Sequence, residues 1–198
     1  SEHLRYPKAW GLPSLRDAIA RYYRTSYGSN ISADNVMVFA GGRPAILALL
    51  LFLEPDITVR IAETEYTPYF DILKCLRREY SLVGSDVDNV FRPPVASYAD
   101  DSITGRTLMM LSNPCNPTGV TRAGTDLKAL VRATTVDRGL LVDEAYELFH
   151  DEPVSALQYV EDIDESNIFV IGATTKGLQA PGIRIGWAVA AKRQIEVL

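Results

Sequence analysis

The residues best suited to chemistry in this 198-residue chain are a lysine and an arginine eight positions apart, Lys176 and Arg184. Lys176 follows the apolar run 168–172 through Ala173-Thr174-Thr175 and precedes Gly177, Pro181 and Gly182, so its amine leaves a rigid strand end amid tight turns. A loop lysine is ordinarily a solvated surface charge, and only a desolvated or charge-coupled amine becomes a nucleophile near neutral pH. The spacing to Arg184 alters that reading. The intervening glycines allow close backbone approach, and a guanidinium can grip a phosphate bidentately. A lysine for an aldehyde and an arginine for a phosphate suit one ligand.

Three further groups fit the same picture. Gly41-Gly42-Arg43-Pro44 stands between an apolar run and a helical stretch, so free backbone N–H groups and the positive end of a helix can cradle an anion there, although a plain strand-to-helix turn reads the same way. Asp143 ends the run Leu140-Leu141-Val142, and Tyr146 follows three residues later; an acid so placed can hold a pyridine nitrogen protonated, or serve only as a helix cap beside a core aromatic. In Asn113-Pro114-Cys115-Asn116-Pro117-Thr118-Gly119 each proline restrains itself and the residue before it, which presents the Asn116 amide rigidly.

These groups need elements to carry them. Apolar residues at helical spacing, with Pro13-Ser14 before them and Gly28 after, predict a helix over 12–27. Strand and helix then alternate: strand 36–40 with helix 44–53, strand 57–62 with helix 68–79, strand 107–111 with a polar helix over about 122–138, and buried strands at 140–142 and 168–171. Such alternation, with near-continuous apolar strands, predicts an α/β domain whose mostly parallel sheet is covered on both faces. Gly41-Gly42, Tyr66, 113–119, Asp143 and Lys176 all fall just after strands, where such sheets bind ligands. The segment 84–105, rich in Asp, Ser and Pro, reads as a surface connection containing at most a short strand.

Composition removes several function classes. Nearly half of the residues are hydrophobic, enough for one sizeable core, and the net charge of −5 is spread without the basic cluster that nucleic acid or an anionic membrane requires. The longest apolar run, 45–53, is far shorter than the roughly 20 residues of a membrane-spanning helix. Cys75 and Cys115 form no spaced pair, and no signal-peptide pattern opens the chain, so a cytoplasmic location is expected. His3 and His150 sit in no metal-ligand or triad pattern, and neither a dinucleotide-binding glycine motif nor a P-loop lysine follows the first strand.

The loop 113–119 matches the Asn-Pro-x-Asn-Pro-Thr-Gly signature of the class I and II aminotransferases, and Tyr6-Pro7, Gly11, Leu15-Arg16, Asp143 to Tyr146, Lys176 and Arg184 to Gly186 match in the same order. The chain therefore resembles that group of fold type I pyridoxal-phosphate enzymes over essentially its whole length. The resemblance implies a three-layer α/β/α sandwich with a mostly parallel mixed sheet: the large cofactor-binding domain over residues 1–198, a piece of a longer enzyme without its N-terminal arm and C-terminal small domain. It implies pyridoxal 5'-phosphate held by Lys176 as a Schiff base, Asp143 paired with the pyridine nitrogen, and Asn116 and Tyr146 on the phenolic oxygen. Tyr66 would stack on the ring, and Gly42, Arg43, Thr175 and Arg184 would contact the phosphate. Tyr6 matches a tyrosine that reaches the phosphate of a neighbouring subunit, which implies a homodimer with shared sites. The sequence departs from the family at Ala173, where a serine is common, and at Arg43, where a small residue is common.

The implied reaction is transamination between an amino acid and a 2-oxo acid. Carbon–sulfur lyases, decarboxylases and cyclopropane-forming synthases share the same cofactor residues, and a catalytically incomplete cofactor-binding fragment would keep them too.

Overall fold

In a computed structural model, residues 8–150 and 152–198 are described. Helix α1 (Pro13–Tyr27) opens with proline in its first turn and ends at Gly28, whose left-handed backbone lets its N–H reach the Arg24 carbonyl. The strands are β1 (Val36–Phe39), β2 (Thr58–Ala62), β3 (Tyr80–Val83), β4 (Thr107–Ser112), β5 (Arg138–Asp143), β6 (Ile168–Ala173) and β7 (Gly186–Val189). Between them lie α2 (Gly42–Phe52), α3 (Thr67–Cys75), the short α4 (Val95–Tyr98) and α5 (Gly124–Arg132), with α6 (Lys192–Ile195) after β7.

The strands form one sheet in the order β1-β7-β6-β5-β4-β2-β3. Neighbours from β6 through β3 pair in parallel, whereas β7 runs antiparallel to both β6 and β1. Because β7 is flanked by opposed neighbours, β1 runs in the same sense as the parallel block, and the turn after it opens at the same edge as Ser112, Asp143 and Ala173. The mostly parallel mixed sheet of the sequence reading is therefore present, with β7 as the strand that makes it mixed.

The periodicity of the central strands explains the layering. Met109, Leu111, Leu140, Val142, Ile168 and Val170 pack on the face covered by α1 and α5, while Leu108, Met110, Leu141, Phe169 and Ile171 pack on the face covered by α2 and α3. Each central strand is thus buried on both sides, which is why these segments read as unbroken apolar runs. At roughly 1.5–3 kcal/mol for each large apolar side chain removed from water, the two layers fix the strand ends firmly.

Element boundaries moved in places. Helix α2 begins at Gly42, so Pro44 is its third residue, and α5 is confined to Gly124–Arg132. Helix α3 stops at Cys75 instead of running to 79, because Arg77 turns into the left-handed region at φ 53° and Arg78 caps α2 through bonds from its guanidinium to the carbonyls of Leu50 and Glu54, each at 2.7 Å. Strand β3 forms before the segment 84–105, which contains the helical turn α4.

Candidate active site

At the carboxyl ends of the strands a cavity of about 320 Å³ is lined by Gly42, Arg43, Tyr66, Asn116, Asp143, Tyr146, Thr175, Lys176 and Arg184, together with Tyr69 and Ser112. Nine residues singled out in the sequence thus converge on one space, eight from the carboxyl ends of five strands and Arg184 from the start of β7. Tyr6 lies outside the described residues. A larger depression of about 410 Å³ lies at the opposite, amino-terminal ends of β4, β5 and β6, lined by Thr107, Gly139 and Phe169 among others, and carries none of these groups.

The cationic end of the cavity is assembled by backbone geometry. Gly41 has φ 110°, open to glycine at little cost, and a Cβ there would stand 2.6 Å from Nη2 of Arg184. The missing side chain lets Arg184 fold across the start of α2, where its Nη2 donates to the Ala40 carbonyl at 3.3 Å and its Nη1 to the Pro181 carbonyl at 3.0 Å. Gly186 is required one step further: a Cβ on it would lie 2.3 Å from the Gly41 carbonyl carbon, so β7 can approach the β1–α2 turn only without a side chain. Arg43, exposed on the first turn of α2, donates to the Tyr66 hydroxyl at 3.1 Å and lies 5.9 Å from that ring's centroid. Two guanidiniums and a helix N-terminus therefore converge where an anion can sit.

Lys176 is exposed, with Nζ 5.4 Å from the centroid of the Tyr146 ring. Burial is not what distinguishes this lysine; its place beside Tyr146 at the rim is.

The anionic end is formed by Asp143, the last residue of β5. Its Oδ2 accepts the Tyr69 hydroxyl at 2.6 Å and its Oδ1 the backbone N–H of Ala145 at 3.0 Å. Burial raises the affinity of this carboxyl for a proton, and the two donors pull in the opposite direction. Sequence reasoning passed over Tyr69, although a signal was present: it stands three residues after Tyr66 at the start of α3, so both rings project from one side of that turn and pack edge to face at 5.3 Å. Ser112 and Glu65 were likewise passed over, because their role lies in contacts between segments far apart in sequence.

Along the sheet edge, Gly42 follows β1 and Arg184 precedes β7, whereas Asp143 ends β5, two places from β7 and three from β1. At about 4.8 Å per strand, the two poles are about 10–14 Å apart. A flat ligand with an anion at one end, a basic ring nitrogen at the other and a carbonyl within reach of Lys176 matches that arrangement of donors and charges.

The family described as Aminotransferase class I and II matches the chain over residues 1–198. An aspartate aminotransferase of Sulfolobus acidocaldarius is 29% identical over 197 residues, covering 96% of this chain and 49% of that protein. A valine–pyruvate aminotransferase of Mycobacterium tuberculosis is 27% identical, covering 93% of this chain and 47% of that protein. Among solved structures, an aspartate aminotransferase from Thermus thermophilus with maleate superposes with a TM-score of 0.87 at 26% identity, covering 98% of this chain and 50% of the other. The chain spans about half the length of the curated relatives it matches.

Proposed function

Because the chain belongs to the aminotransferase class I and II family, we propose that its cavity takes pyridoxal 5'-phosphate at Lys176 and that the protein transfers an amino group between an amino acid and a 2-oxo acid. The observation that carries this reading is the opposed polarity of one cavity, with Arg184, Arg43 and the start of α2 at one end and Asp143 at the other. The relatives' names, which include aspartate and valine with pyruvate, support amino and 2-oxo acids as the substrate class.

Each residue has a part that follows from its chemistry. Arg184, Arg43, Thr175 and the free N–H of Gly42 would hold the phosphate, and Tyr66 would cover the ring. Asp143, whose burial favours sharing a proton, would keep the ring nitrogen protonated, and Asn116 and Tyr146 would hold the phenolic oxygen. Lys176 would hold the aldehyde and, once displaced by substrate, move the proton of the substrate α-carbon as base and then acid. When bound, the cofactor supplies an electron sink for that deprotonation. Tyr6 motivates a homodimer with shared sites, which sedimentation of the intact protein tests, and a cytoplasmic location accompanies it. Among the described residues no helix is long and apolar enough to cross a membrane.

The test is direct. With added pyridoxal phosphate the protein should acquire a near-visible absorption band, borohydride should fix the cofactor on Lys176, and Lys176→Ala should show neither. Amino acid plus 2-oxo acid should then yield the exchanged pair. A protein that stays colourless and is not labelled at Lys176 sinks the proposal.

A further inference from the structure

A carboxylate behind the cavity wall has no part in the roles above. Glu65, in the turn after β2, is only 5% exposed and directly precedes Tyr66. Its Oε1 accepts the backbone N–H of Ser112 at 3.1 Å, and its Oε2 accepts the Ser112 hydroxyl at 2.6 Å. Ser112, the last residue of β4, uses that same hydroxyl oxygen to accept the backbone N–H of Asn116 at 3.0 Å. A serine hydroxyl has one proton, and here it goes to Glu65, which leaves the oxygen lone pairs turned toward Asn116. The result is a one-way relay from the Asn116 N–H through Ser112 to Glu65. Among the described residues no lysine or arginine forms an ion pair with Glu65. Burying a carboxylate without such a partner is costly, and a turn residue needed only for packing has no use for it.

We propose that Glu65 is a positioning residue whose two acceptor oxygens lock Ser112, and through it Asn116, against Tyr66 at the cavity rim. The inference rests on the cavity being the cofactor site, because Tyr66 and Asn116 are the side chains it sets in register. A carboxylate is needed in place of its amide. Glutamine offers one acceptor where two are used, so either the Ser112 N–H loses its partner or the Ser112 hydroxyl meets an NH₂ and the relay reverses.

Several titratable groups face Glu65: Asp143 from β5, Tyr66 from the turn before α3, Tyr69 from α3, Tyr98 from α4, and Cys115 from the loop 113–119, with Arg122 lining the small space behind it. Burial, opposed by the Ser112 and Tyr66 donors and reinforced by the negative charge of Asp143, pushes the Glu65 carboxyl up to about 7. A proton on either oxygen removes an acceptor, so the lock is made above that pH and loosens below it.

Glu65→Gln, Ser112→Ala and the double variant separate positioning from packing. Two quantities are read: pyridoxal phosphate affinity from pH 6 to 8.5, and hydrogen exchange of the Asn116 amide in the cofactor-free protein. For a hydrogen bond to a charged group, affinity at pH 8 should fall about tenfold in Glu65→Gln, with a similar loss in Ser112→Ala and little further loss in the double variant. Wild-type affinity should fall faster below pH 7 than that of Glu65→Gln, and Asn116 exchange should quicken in either single variant. Unchanged affinity and exchange in Glu65→Gln would refute the proposal, as would fully additive losses or a lower melting temperature alone. If Glu65→Gln does not fold, Ser112→Ala decides by the same two readings. Should the wild type never load cofactor at Lys176, the reading of the cavity fails, and Asn116 exchange alone then decides for or against the lock.

Discussion

The Asp143 carboxylate is held by two donors of unequal strength, and the stronger comes from a residue 74 positions away, Tyr69. Removing that hydroxyl leaves the half-buried Asp143 with only the Ala145 N–H, so its proton affinity should rise further above that of an ordinary carboxylate. Tyr69→Phe should therefore fold normally and retain cofactor at Lys176 while turnover falls about tenfold, matching the loss of one hydrogen bond to a charged group. Asp143→Asn, which cannot hold a proton on the ring nitrogen, should lose on the order of 10²–10³-fold in turnover with cofactor still detectable. Steady-state rates beside absorption spectra check both, and wild-type turnover in Asp143→Asn would remove it from the site. The contrast also marks what the sequence discloses at this scale. Lys176, Arg184, Asp143 and Asn116 are legible because each sits in a local pattern of glycine, proline or strand end. Tyr69, Ser112 and Glu65 act through bonds that exist only once β2, β4 and β5 lie side by side.

At the scale of elements, the antiparallel strand β7 decides where the cationic pole forms. It is four residues long, and glycines bring it close to its surroundings: its own Gly186 abuts the Gly41–Gly42 backbone, and Gly172 of the neighbouring β6 leaves space for the Trp187 ring, which would stand 2.4 Å from a Cβ there. A run so short and so poor in branched residues carries little strand signal, which is why the alternation of strand and helix disclosed β1, β2, β4, β5 and β6 but neither this strand nor the equally short β3. Gly186→Ala should cost about 3 kcal/mol, since backbone rather than a flexible side chain must yield. It should also weaken phosphate binding, because the displaced atoms include the N–H of Gly42 at the start of α2. Gly84→Ala, where a Cβ meets nothing within 4 Å, should change stability by no more than about 0.5 kcal/mol. Urea unfolding of the two variants, with phosphate titration alongside, distinguishes them; equal stabilities would mean that β7 can shift at no cost.

Over the whole molecule, the acids behind the cavity should set the pH dependence of stability. Glu144 and Glu147 are buried, 1% and 7% exposed, next to the Asp143 strand end. Glu144 accepts the Ala156 N–H at 2.7 Å, and Glu147 accepts the Tyr22 hydroxyl. Burial and then the charge of Glu147 push Glu144 well up, while burial, opposed by Tyr22 and Tyr27, raises Glu147 to about 6. With Glu65 at about 7, the folded chain holds protons that the unfolded chain, with glutamates near 4.5, has released. A raised folded-state value stabilises fully below the unfolded one, and that stability is lost as pH climbs through the folded one. Exposed carboxylates held low, such as Asp56 beside Arg106, act in the opposite sense, but their contribution is complete once pH exceeds the ordinary aspartate value of 3.8. Between pH 5 and 8 the buried acids therefore dominate, and the cofactor-free chain should lose on the order of 3 kcal/mol. Urea midpoints taken across that range should fall steadily, and Glu147→Gln, which keeps the bond from Tyr22 without the charge, should flatten the segment from pH 5 to 7. A midpoint that rises with pH would mean that these carboxyls are ionised in the folded chain at no cost, and that the interior behind the cavity is more polar than its packing implies.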